Sequence, residues 1–254
     1  MDRAREVMKD LWNGHWSDDI YGAQPYRLNT RHYDQWFALM NEHIFSKYTE
    51  PIRVLEFGCG AGHRWHALES VCKINEYVAL DYSPAQLKMF ENKAPGAKEA
   101  IEDGKLSLVE FDLDDLPLNN DGPYDLVFTA GCLMHLYPDT AAKVLQEMFR
   151  LSVDGFIMHL EENETSAADL LNGYNLVKFY STLDMPNLSY ASSHFIHQAT
   201  DGYHPNINIA EADAYRSQIV IYNNKGIKSE AAELERLDYH CDHGKRMLTQ
   251  DIKI

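Results

Sequence analysis

The stretch IRVLEFGCGAG, Ile52 to Gly62, decides the fold. Its first half, IRVLEF (52–57), is a short apolar run rich in β-branched residues and bounded by glycines. Such a run reads as a strand buried on both faces of a sheet. Three glycines at alternate positions follow at once, Gly58, Gly60 and Gly62. Glycine lets a backbone turn sharply and approach a ligand without a Cβ in the way. In a doubly wound sheet, ligands sit beyond the carboxyl ends of the strands, where this loop falls. Taken alone, the pattern suits a glycine-rich turn without a ligand equally well, so its surroundings decide.

On either side of this loop, strand and helix signals alternate. A helical stretch (63–72) precedes the strand EYVALD (76–81), and Ser83-Pro84 supplies an N-cap and a first-turn proline for the next helix. KLSLVEFD (105–112) and YDLVFTA (124–130) read as strands three and four. Asp139 and Thr140 cap a helix running to about Leu151, and GFIMHL (155–160) is the fifth strand. This order predicts an α/β, Rossmann-like fold, a mostly parallel seven-stranded sheet with helices on both faces. Residues 1–48, rich in tryptophan and tyrosine, are expected to form an N-terminal helical cap of two or three helices. The main domain is expected to run over 49–226, with a substrate-side insertion at about 161–215 and a C-terminal helical tail at 227–254. Within the insertion we expect a helix (166–181) and then an irregular segment rich in His, Tyr and Asn. SQIVIYN (217–223) closes the sheet.

The whole chain narrows the function further. At 254 residues it has room for one large α/β domain. A net charge of −16 argues against a nucleic-acid partner, and no run of lysines and arginines offsets it. No stretch approaches the ~20 apolar residues that span a bilayer, so no membrane partner is expected. The N-terminus MDRAREVMKDLW lacks the apolar core of a signal peptide. Cys59, Cys72, Cys132 and Cys241 form no CxxC pair, which suits a reducing, cytoplasmic setting. His240-Cys241-Asp242-His243 has the residue types of a metal site, but adjacent ligands cannot easily face one ion, so no metal is expected.

A dinucleotide site asks for a small residue at the end of G-x-G-x-x-G, and counting from Gly58 that position holds His63. The observed E-x-G-x-G-x-G instead resembles motif I of the class I methyltransferases that use S-adenosylmethionine (SAM). Further stretches fit that family in order. Asp81 ends the second strand, 19 residues after Gly62 (81 − 62), and FDLDDLP (111–117) is similar to a G-D-x-x-x-L-P segment with Phe111 in place of glycine. YDLVFTAGCLMHL (124–136) is similar to the F-D-x-V stretch that ends in H-L. The resemblance covers about residues 52 to 160 and implies SAM as cofactor.

It also implies roles. Asp81 accepts from the ribose hydroxyls, Tyr82 stacks on adenine, Asp112 accepts from the adenine amino group, and the backbone N–H of Leu113 meets a ring nitrogen. Glu56 organises the loop and, through water, the methionine ammonium, with Gly58, Gly60, Gly62 and Thr129 completing the cofactor set. As isolated residues, a turn aspartate at 81 and a packed aromatic stripe near the N-terminus would be ordinary.

Methyl transfer is an in-line displacement, so positioning does most of the work, and acid–base help matters only for a protonated acceptor. His135 after the fourth strand and His159 at the end of the fifth are the candidate bases; otherwise they are packed core histidines. Tyr21, Glu161, His194, His197 and His204 are the candidate substrate contacts. The expected activity is methylation of a hydroxyl or amine on a small polar metabolite, by a monomer or homodimer. Alternatives are a protein methyltransferase, a non-catalytic SAM-binding regulator, or a nicotinamide-dependent oxidoreductase, which His63 counts against.

Overall fold

The computed structural model describes residues 10, 13, 31–120, 122–136, 138–152, 154–162, 188–197 and 216–224. Helix α1 (Arg31–His43) leads into β1 (Ile52–Phe57), α2 (His63–Glu69) and β2 (Ile74–Asp81). Then come α3 (Pro84–Lys93), α4 (Ala97–Glu102), β3 (Leu106–Glu110) and β4 (Leu126–Ala130), with one 3-10 turn at Leu113–Asp115 and another at Leu133–His135. Helix α5 (Pro138–Leu151), β5 (Phe156–Glu162), β6 (Leu188–His197) and β7 (Arg216–Asn224) complete the order.

The strands form one seven-stranded sheet in the order β3-β2-β1-β4-β5-β7-β6. The β1–β2, β2–β3, β1–β4 and β4–β5 pairs are parallel; β7 runs antiparallel to both β5 and β6. Strand order therefore reverses between β1 and β4, and the glycine loop leaves β1 at that switch point, where such sheets bind ligands.

Side-chain alternation along β1 separates two apolar layers. Ile52 and Val54 pack with Trp36, Met40, Trp65, Tyr77 and Phe90 on one face. Leu55 and Phe57 pack with Val127, Val144, Leu145, Met148 and Phe149 on the other. Trp36, Met40 and Ile44 are wholly buried at a spacing of four, the apolar stripe that seats α1 and the residue after it on the first face. Ser83 caps α3 by accepting from Gln86 N at 3.3 Å, with Pro84 in the first turn. At the far side Asn224 Nδ2 donates to Phe149 O (3.0 Å) and Ser152 Oγ (2.9 Å), tying the end of β7 to α5.

Two expectations need correction. The segment expected to be irregular contains β6, so His194 and His197 lie in a strand, opposite Ile219 and Arg216 of β7. A register shift between Tyr190 and Ser192 breaks the alternation that would have revealed it. Strand β5 runs on to Glu162, so His159 lies inside the strand and Glu161 is a ladder residue opposite Gln218. The helix expected at 166–181, the tail at 227–254, most of the cap before Arg31, and Tyr21 and His204 all lie outside the described residues.

Candidate functional site

The glycine loop is fastened to β2. Gly58 N and Cys59 N both donate to Leu80 O, at 2.8 and 2.9 Å, and Gly62 N closes the turn on Cys59 O at 3.1 Å. Asp81 completes the fastening. Its Oδ2 accepts from Gly60 N at 2.8 Å and its Oδ1 from Ser83 N at 2.9 Å, so one carboxylate joins the loop to the start of α3. Burial pushes the Asp81 carboxyl up to about 6, against the lowering effect of these backbone donors.

The three glycines do different work. A Cβ on Gly58 would fall 2.5 Å from Cys132 Sγ, and one on Gly62 would fall within the Phe90 ring. Those two positions are reserved for packing. At Gly60 the nearest atom to such a Cβ is Gln86 Oε1 at 3.8 Å, so here the missing side chain leaves open space beside the backbone. Gly60→Ala should therefore leave the chain folded, apart from ~1 kcal/mol for a left-handed alanine, while cofactor affinity falls tenfold or more. Gly62→Ala should lower the melting temperature by several degrees, through that strain and the Phe90 clash. Thermal melts and ligand titrations of the two variants separate these effects, and a Gly60→Ala protein that binds like wild type would remove the loop from the site.

Glu56, on β1 beneath the loop, is 1% exposed and accepts from the Tyr77 hydroxyl at 2.6 Å. Burial pushes its carboxyl up to about 8; the Tyr77 bond and the Arg64 charge pull the other way, and Asp81 adds to the rise. Arg64 lies over the Trp36 ring, 5.6 Å from its centroid, linking α2 to α1. Burial raises the Tyr82 phenol, and Asp81, followed by Cys132, Asp112 and Asp10, raises it further. Tyr82 thus stands within electrostatic range of both the Asp112 segment and the N-terminal residue Asp10. Asp112 caps its own 3-10 turn, Oδ1 accepting from Asp114 N at 3.1 Å, and Leu113 is buried behind it. Helix α5 holds this segment from below: Thr140 Oγ1 donates to Asp114 Oδ1 at 2.8 Å, and Leu118 N donates to Glu147 Oε1 at 2.7 Å. Arg150 Nη2 reaches the Leu118 and Asn120 carbonyls, both at 3.1 Å.

Past β4, Cys132 packs on Gly58, and His135 N donates to Cys132 O at 3.0 Å, so the turn bearing His135 abuts the glycine loop. Burial pulls His135 down to about 4 and His159 to about 3; both imidazoles are neutral at physiological pH. His159 is fully buried beside Thr129 in the β4–β5 register, and Thr129 is buried too. Glu56, the loop, Asp81, Tyr82 and Asp112 thus gather at one end of the sheet, whereas His194 and His197 belong to the outermost strand, beyond β7. Sequence reasoning passed over Tyr77, Gln86 and Cys132. The signal for Tyr77 was available, because a carboxylate inside an apolar strand needs a partner on its neighbour. Among the described residues, no group of three or more His, Cys, Asp and Glu could hold a metal ion.

The arrangement suits a nucleoside with an amino-acid end: an open glycine position, a carboxylate at the end of β2 and a second just after β3. Residues 54–155 match the family model described as a methyltransferase domain. No curated protein sequence matches the chain. Among solved structures, magnesium protoporphyrin IX methyltransferase from Synechocystis PCC 6803 with bound SAH (S-adenosylhomocysteine) is similar at 16% identity and a TM-score of 0.61. That match covers 86% of this chain and 98% of the other. The N-methyltransferase NodS from Bradyrhizobium japonicum WM9, also with SAH, is similar at 15% identity and a TM-score of 0.57, covering 85% and 99%. The cyclase SpnF shares the fold at 13% identity and a TM-score of 0.60, covering 87% and 97%. At these identities the likenesses speak for the fold, and the family model speaks for the chemistry. Residues 54–155 are accordingly a methyltransferase domain, on a fold shared with SAH-bound methyltransferases, and this supports SAM as its cofactor.

Proposed function

We propose that this enzyme methylates a hydroxyl or amine on a small polar metabolite, with His135 as general base where the acceptor arrives protonated. The observation that carries the proposal is the packing of Cys132 on Gly58, which sets the His135 turn against the cofactor loop. SAM supplies a methyl group on a sulfonium, and the protein's task is to align an acceptor with the S–CH₃ axis. A neutral imidazole accepts a proton at any physiological pH. Burial also makes it a weaker base, so its contribution belongs at the low end of the ~10²–10⁴-fold range. His159, inside β5 and wholly buried, fits a packing role better than a base.

In this reading Asp81 receives the ribose hydroxyls, Tyr82 covers the adenine, and Asp112 with the Leu113 N–H reads its edge. Gly58, Gly60, Gly62 and Thr129 shape the floor, and Glu56 meets the ammonium through water. Glu161, His194 and His197 bind acceptor only if it extends along β5 to β6. A small-molecule acceptor agrees with the name of one structural relative, a magnesium protoporphyrin IX methyltransferase. A monomer or homodimer in the cytoplasm completes the proposal, supported by the free thiols of Cys59, Cys72 and Cys132. No helix among the described residues is long and apolar enough to cross a membrane. A non-catalytic or differently reacting protein is the second reading, favoured by the cyclase that shares the fold.

Calorimetric titration with SAH, with NAD as control, is the first test, followed by turnover on hydroxylated and amino metabolites. His135→Ala should then lower turnover about 10²-fold with SAH affinity unchanged. Equal losses in both would make His135 a packing residue, and binding without turnover on any acceptor would favour the second reading.

A further inference from the structure

Arg64 is a half-buried cation in the first turn of α2, just beyond Gly62, the last glycine of the loop. Its guanidinium lies over the Trp36 ring of α1, 5.6 Å from the centroid. Trp36 is wholly buried, so this contact brings the charge in towards the sheet. Drawing a cation in from water costs free energy, so what it meets on that face matters.

The face it joins carries the opposite charge. Glu56 follows Ile52 and Val54 at the two-residue period of β1, so it faces the same layer as Trp36. Tyr77, a member of that layer, donates its hydroxyl to Glu56 at 2.6 Å. Trp65, next to Arg64 in α2, packs edge-on against the Tyr77 ring with centroids 5.3 Å apart. The Arg64 charge reaches the Glu56 carboxyl and lowers it, against the effect of burial. A carboxylate and a guanidinium thus share one face of the sheet, with the loop Gly58–Gly62 running from the first to the second.

We propose that Arg64 is a specificity-determining residue that receives the carboxylate of the cofactor's amino-acid end, while Glu56 answers the ammonium. The proposal rests on the SAM-binding role of the loop. An α-amino acid carries its ammonium and carboxylate on one carbon. A site that reads both therefore needs opposite charges close together, and Glu56 with Arg64 supplies them. A guanidinium suits the place, because its fork matches a carboxylate and the same group packs on an aromatic ring. Arg64 selects for a complete amino-acid end and has no part in proton transfer.

The test is titration of wild type, Arg64→Met and Arg64→Lys with SAH and with decarboxylated SAH, alongside thermal melts. The decarboxylated ligand keeps the adenosine and the amine and lacks only the carboxylate. Wild type should bind SAH about 10–100-fold more tightly than this analogue. Arg64→Met should raise the Kd for SAH by about the same factor and that for the analogue by less than about threefold. Arg64→Lys, which keeps the charge without the fork, should recover part of the loss. Weakening that travels through Glu56 falls on both ligands, because they share the amine. Equal losses for both ligands therefore overturn the proposal and leave Arg64 acting through Glu56 or through α1. Unchanged SAH affinity in a folded Arg64→Met protein overturns it as well. Wild type that binds the two ligands alike overturns it whether or not the variants fold, and leaves the cofactor assignment standing. Wild type that binds no SAH would overturn the cofactor assignment and this inference together.

Discussion

Asp81→Asn is expected to weaken SAH binding about a hundredfold or more while leaving the protein folded. In the native site one carboxylate accepts from Gly60 N and Ser83 N, at 2.8 and 2.9 Å. An amide keeps one acceptor oxygen and turns an NH₂ group towards the other backbone N–H, so donor faces donor. Either the loop or the start of α3 must let go. A charged acceptor is worth about 1.5–3 kcal/mol per bond, and the ribose would lose its anionic partner at the same time. Two such losses amount to about two or more powers of ten in Kd. Stability should respond less, because burial already holds the Asp81 carboxyl up near 6 and the amide removes that desolvation cost at neutral pH. Calorimetry with a parallel thermal melt decides the matter. A Kd within threefold of wild type would take the ribose role from Asp81, and a collapsed melting transition would make it a structural clasp.

The sequence disclosed this site unevenly, for physical reasons that differ by residue. β1 could be read to the residue because an apolar run bounded by glycines has one ready interpretation, and the structure places it at Ile52–Phe57. The helix start at Ser83-Pro84 was legible for the same kind of local reason, a cap and a fixed φ. What could not be read was anything set by a partner far along the chain. The three glycines look alike in sequence, yet Cys132 and Phe90 claim two of them for packing and leave Gly60 open. β6 was hidden because a register shift between Tyr190 and Ser192 spoils its period-two pattern, so His194 and His197 passed for loop residues. His159 seemed to end β5 because Glu161 and Glu162 look like turn residues; pairing with β7 carries the strand through them. The Glu56–Tyr77 bond spans β1 and β2, and only the parallel register brings the two together.

That bond makes a prediction with a defined sign. Glu56 has an ordinary pKa near 4.5, and burial in the fold pushes it up to about 8. Between those values the folded state holds a proton that the unfolded chain releases, so stability falls as pH rises and levels off above the folded value. Asp81, raised to about 6, acts in the same direction at lower pH. His63 and His135, lowered to about 4, act in the opposite direction below about pH 6.5. From pH 6.5 to 8 the Glu56 contribution therefore dominates among the described groups. Glu56→Gln keeps a neutral group beside Tyr77 and cannot titrate. We expect the wild-type melting temperature to fall by several degrees across this window, at about 2–4 °C per kcal/mol for a domain of this size, and the variant to stay flat. The variant should overtake wild type near pH 8. Cofactor binding should run the other way: an arriving ammonium favours the ionised carboxylate, so wild type should bind SAH more tightly as pH rises and release a proton near pH 7. Glu56→Gln should bind about tenfold more weakly at pH 8 and lose that proton release, which calorimetry in buffers of different ionisation enthalpy reads directly. Parallel melting curves for the two proteins would show that Glu56 is already ionised in the ligand-free fold and that Arg64, with Tyr77, outweighs its burial.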